Sequence, residues 1–181
     1  SLSPLALLTL AACGGSTGGA GSKSVVAEKG PLNLAQAFLD YNDDGIWQTA
    51  TEPGALTDTS GAASFSLALT PTTAQTTAGY DLKIVGSANT IDMASNTVFS
   101  DSLSAPSNST MITPVTTIMA ESSLTKEQVV ATLGLPVGMD PLTFSAFDAT
   151  LSAADKLTAL KVEKAAQKVM AIVSTFASAA E

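Results

Sequence analysis

The residues best suited to chemistry stand in one short run, LDYNDDGIWQTATEPG, at 39–54. Asp40, Asn42 and Asp44 occupy alternate positions, and Gly45 follows at once. This is the opening of a calcium-type loop: a tightly curling backbone aims every second side chain inward, and glycine permits the sharp turn at the sixth position. Counting from Asp40, the carbonyl of Ile46 supplies the seventh position, and Gln48 stands at the ninth, directly or through water. A carboxylate should close the site at the twelfth position, but Thr51 is there and Glu52 comes one residue late. The expected ligands are therefore Asp40, Asn42, Asp44, Ile46, Gln48 and Glu52, the late Glu52 implying a bulged loop, a different binding mode for that residue or a weak site. Oxygen donors throughout select Ca2+ over zinc or copper. No lysine lies between Lys29 and Lys83 to neutralise the loop from nearby in sequence. The alternative is an acidic hairpin loop without an ion, since two unit charges about 5 Å apart in water repel by only about 0.8 kcal/mol.

Other chemistries are restricted by what is missing. The chain has no histidine and no arginine, which removes Ser-His-Asp and Cys-His catalysis and histidine-ligated zinc. A net charge of −8 without arginine is repelled by a nucleic-acid backbone, so no nucleic-acid partner is expected. Paired carboxylates acting on polysaccharide, Asp43 with Asp44 or Glu52 with Asp58, are the less favoured enzymatic reading. Few aromatics are present to stack on sugars, and the one tryptophan, Trp47, is expected to pack over the loop's own backbone. The chain is read as non-catalytic.

The elements that must position the loop are β in character. Leu34, Gln36 and Phe38 alternate with Ala35, Ala37 and Leu39 ahead of the acidic run. After it, a turn at Thr59-Ser60-Gly61 leads to strict alternation, with Phe65, Leu67 and Leu69 on one face and Ser64, Ser66 and Ala68 on the other. Tyr80, Leu82 and Ile84 repeat the pattern. From Pro114 the period becomes helical. Pro114 suits a first helical position, Thr125 and Gln128 make a capping box stopped by Gly134, and Ser152 with Asp155 opens a long helix. Leu157, Leu160, Val162, Ala166, Val169, Val173 and Phe176 are its expected apolar stripe, with core packing as its role and a membrane-surface or partner-binding face as the alternative. The expected fold class is α+β: a small antiparallel β-sandwich at 25–113, then a helical segment at 114–181 that continues past Glu181.

Two resemblances add to this. Leu10-Ala11-Ala12-Cys13, after the apolar run at 5–10, resembles the lipobox of bacterial lipoprotein precursors. It implies a signal remnant at 1–13, cleavage before Cys13 and its lipidation; the other reading of Cys13 is a buried structural thiol. The Gly/Ser-rich 14–24 would then be a tether, with structure starting near Val25. The second resemblance is to bacterial surface β-sandwich modules of the SdrD B-like, Cna-B-like and carboxypeptidase-regulatory-like type. It rests on Phe38, Leu39, Asp40, Asn42, Asp44, Gly45, Glu52, Pro53, Gly54, Thr57, Asp58, Gly61 and Phe65, and covers 25–69. It implies a prealbumin- or Ig-like sandwich serving as a stalk, spacer or adhesion module. The resulting expectation is a calcium-stabilised, lipid-anchored module of a larger exported protein at the bacterial cell envelope or surface. Its partners would be the membrane, through the anchor, and surface proteins or polysaccharide. A subunit of an extracellular assembly or filament is the alternative.

Overall fold

The alternating segments pair into sheets, as their half-apolar pattern requires. The computed structural model describes residues 20–122 and 124–179, the last seven of these as backbone alone. Cys13 and the first part of the expected tether lie outside the described residues, as do the side chains of Val173 and Phe176. β1 (Ser22–Ala27) begins three residues before the expected start of structure, inside the segment read as tether. It runs antiparallel to β5 (Ala62–Ser66), with Val25 opposite Ala63, and parallel to β10 (Met111–Ile112).

A second sheet has the order β4-β3-β6-β9 and is antiparallel throughout. It contains β3 (Gln36–Asp40), β4 (Gly54–Leu56), β6 (Asp81–Val85) and β9 (Ser102–Pro106). The acidic loop is the β3–β4 connection, so both its ends are tied to one sheet. A small third sheet joins β2 (Leu32–Asn33), β7 (Ile91–Asp92) and β8 (Thr97–Val98). The fold is α+β.

One core serves the two larger sheets. Val25, Ala27, Ala63, Phe65 and Ile112 from the first cluster with Ala37, Leu39, Leu82, Ile84, Leu103 and Ala105 from the second. Full burial of side chains such as Leu82 and Ile84 contributes about 1.5–3 kcal/mol each. Ser64 and Ser66 face outward, as the alternation predicts, but β5 stops at Ser66 and 67–69 turn away. Gly61 permits the preceding turn: its φ is +78°, and an added Cβ would collide with the carbonyl oxygen of Ala27.

The helices start where their caps stand. α2 (Pro114–Glu121) has Pro114 in its first turn, α3 (Lys126–Thr132) is capped by Thr125 and Gln128, and Gly134 beyond it has φ +65°. α4 (Ala153–Ala179) is opened by Ser152, whose hydroxyl accepts the Asp155 N–H and donates to the Asp155 carboxylate. One helix was not expected. α1 (Thr73–Ala78) carries the same capping signal, Thr72 with Gln75, in a segment too short and polar to show an apolar stripe.

The orientation of α4 corrects the expected stripe. Val162 and Ala166 are buried as expected, joined by Ala159 and Ala165, whereas Leu157 and Leu160 are 66% and 50% exposed. Val162 and Ala165 pack with Val115 of α2 and Val129 of α3 in a second cluster. Small residues win that face because they let α4 approach the other helices closely.

Candidate functional site

The loop between β3 and β4 is organised around two buried carboxylates. Asp40 is fully buried at the end of β3, and Glu52 is 2% exposed just before β4. Asp40 accepts the backbone N–H of Asp44 at 3.2 Å and of Gly45 at 2.8 Å, which curls the chain back on itself. Gly45 has φ +73°, as the sharp sixth-position turn demands, and Asp43 before it also lies in the left-handed region, at +56°.

Glu52 brackets the loop from the other side. One of its oxygens accepts from the N–H of Tyr41 at 2.9 Å and the other from the N–H of Gln48 at 3.0 Å. Its late arrival in the sequence thus has a local consequence: the carboxylate turns to the backbone of its own loop. Trp47 covers this arrangement. Its indole N–H donates to the Glu52 carbonyl at 3.1 Å, and its ring stacks on Phe38 with centroids 6.4 Å apart. Gly54 makes room for that ring, since an added Cβ would lie 2.8 Å from Trp47 Cε2.

The remaining sequence-derived ligands gather on the outer side. Asn42 Nδ2 and Gln48 Nε2 both donate to Asp44 Oδ2, at 2.9 and 2.6 Å, while Asp44 Oδ1 accepts from the Ile46 N–H at 2.8 Å. These bonds, led by that of Ile46, hold the Asp44 carboxyl below its ordinary value. Third, fifth and ninth positions therefore converge on one oxygen. The amide oxygen of Gln48 is buried and has no hydrogen-bond partner. A half-turn of either amide would present oxygen instead of NH2 to Asp44, which is favourable only with a cation between them. The structure thus brings Asn42, Asp44 and Gln48 together through their side chains, with Asp40 accepting from the N–H groups of Asp44 and Gly45. Asp40 and Glu52 are alike in that both oxygens of each accept from backbone N–H groups of the loop. Among the described residues, no three Asp, Glu, His or Cys side chains form a group that could hold a metal.

Charge compensation comes from a residue that sequence distance hid. Lys83 sits on β6, opposite Phe38 of β3, and its ammonium lies 3.7 Å from Asp43 and 3.2 Å from Glu121 of α2. Burial pulls Lys83 down, but Glu121, Asp43 and Asp81 outweigh it and leave it above its ordinary value. The only signal for this pairing was the alternation that puts β3 beside β6. The candidate catalytic pairs do not come together as free carboxylates. Asp58 closes its own turn by accepting from Ser60 and Ala62, and Asp43 faces Lys83 while Asp44 faces its amides.

A further buried carboxylate lies away from the loop. Glu28 accepts from the Ser145 hydroxyl and from the Ala146 N–H, joining the end of β1 to the segment ahead of α4. Burial raises it above the usual carboxylate range, against the opposing hydrogen bonds. Nothing in the sequence pairs residues so far apart.

Comparison of the chain with family models, with curated proteins and with solved structures yields no match.

Proposed function

We propose that this chain is a non-catalytic, lipid-anchored module of the bacterial cell envelope, a β-sandwich whose β3–β4 loop is stabilised by calcium. It acts as a stalk or adhesion domain of a larger exported protein. The observation that carries the reading is the outer half of the loop: Asn42 and Gln48 meet at Asp44, beside a buried amide oxygen without a partner. Calcium there would draw on Asp40, Asn42, Asp44, the Ile46 carbonyl and Gln48, with Glu52 bracketing the loop from its other side. Two carboxylates are few for such a site, which places it with weak extracellular calcium modules, at about 10⁻⁴ to 10⁻³ M. The sandwich reading is supported by the single core that both larger sheets share. The anchor rests on the lipobox-like Leu10-Ala11-Ala12-Cys13.

Thermal unfolding in calcium and in chelator tests the metal. At ten times the dissociation constant, calcium should add about 1.4 kcal/mol, and Asp44→Asn should abolish that gain. An identical melting curve in calcium and chelator refutes the calcium site. Mass spectrometry of the N-terminus after expression in a bacterial host tests the anchor, with an acylated Cys13 expected and an unprocessed chain refuting it.

A further inference from the structure

The globule covers only one side of α4. With 3.6 residues per turn, Ala159, Val162, Ala165 and Ala166 fall within an arc of about 120°, and all are buried. Leu157, Leu160, Lys161, Lys164, Lys168 and Ile172 fall within a second arc of about 120° on the opposite side. Leu157, Leu160 and Ile172 are 66%, 50% and 56% exposed there, and the three lysines are exposed with them. Among the described residues, neither these lysines nor Lys156 makes an ion pair. Half of the chain's 8 lysines thus stand on one helix, against only Asp155 and Glu163, in a chain of net charge −8.

Lysines interleaved with large apolar side chains suit an anionic lipid surface. The apolar groups enter the acyl boundary, the lysine stems follow them, and the ammonium groups stay at the phosphates. The acidic loop of a second copy suits this face less well. Asp43 is already paired with Lys83, and Asp44 already accepts from Asn42, Ile46 and Gln48. No helix among the described residues is long and apolar enough to cross a membrane. We infer that the outer face of α4 docks on anionic phospholipid headgroups, with the helix lying along the bilayer surface. The inference rests on the envelope reading for access to such a surface.

The test floats the full, unacylated chain with vesicles of phosphatidylcholine alone and of phosphatidylcholine mixed with phosphatidylglycerol. Flotation is expected with the anionic vesicles only, and it should fall at high salt. The triple variant K161E/K164E/K168E should weaken partitioning on the order of 100-fold, with an unchanged circular dichroism spectrum. L157S/L160S should weaken it too, with charge intact. Equal flotation on both vesicles, or a triple variant that floats like the parent, overturns the inference. So does a concentration-dependent dimer that the triple variant abolishes, because a second copy then occupies the face. An acylated Cys13 without anionic selectivity overturns this inference alone; an unmodified Cys13 overturns the envelope reading alone.

Discussion

Glu52 and Glu28 are both nearly buried carboxylates, at 2% and 5% exposure, yet they tie the chain over very different distances. Glu52 accepts from Tyr41 and Gln48, within its own loop, and so fixes one turn of backbone. Glu28 accepts from Ser145 and Ala146, more than a hundred residues away, and so fixes the helical part of the chain against β1. A buried anion is tolerated in both places because N–H and O–H donors meet it. The difference is in what fails when it is removed. Loss of Glu52 orphans two backbone donors, of which the bond from the Tyr41 N–H is buried. Loss of Glu28 releases a hydroxyl and an amide at a junction that water can reach.

That contrast orders the predictions. Glu52→Ala should cost about 3 kcal/mol or more in denaturant unfolding, and Glu52→Gln, which keeps an acceptor, about half as much. An equal cost for Glu28→Ala would break the comparison; about 1–2 kcal/mol is expected there. The pH dependence sharpens it. Burial raises the folded-state pKa of Glu28 above its unfolded value. Its protonated form is therefore favoured by folding, and its contribution is complete below the unfolded pKa and declines as pH rises through the raised folded pKa. The stability difference between the parent and Glu28→Gln, followed from about pH 4 to pH 7, should shift against the parent as pH rises. A flat difference refutes the assignment. The smallest effect belongs to Lys83→Met. It removes the ammonium between Asp43 and Glu121 and should cost about 1 kcal/mol or less, diminishing in high salt.

Much of the loop is legible in the residues themselves. Asp40, Gly45 and their spacing imply a tight turn, and a tight turn forms, with Asp40 accepting from the N–H groups of Asp44 and Gly45. The caps at Thr125 and Ser152 are readable for the same reason: each reaches only three residues along the chain. The spacing that puts Glu52 one place late also holds meaning, since the displaced carboxylate turns to the Tyr41 and Gln48 N–H groups. Helix α1 escapes a reading by periodicity although Thr72 and Gln75 announce it, because no apolar period accompanies the cap.

What the sequence determined alone was therefore local: alternation in β5 and β6, the turn at Gly61, the helix starts and the curl of the acidic loop. These depend on backbone geometry and on hydrogen bonds that span a few residues. The tertiary structure decided the rest. Lys83 neutralises Asp43 only because β6 lies beside β3, Glu28 meets Ser145 only because the chain returns to β1, and α4 buries Ala159 and Ala165 while the expected Leu157 and Leu160 stay exposed. Each of those outcomes is set by which surfaces close on one another. That depends on pairing register and shape across the whole core, and no short stretch of chain carries it.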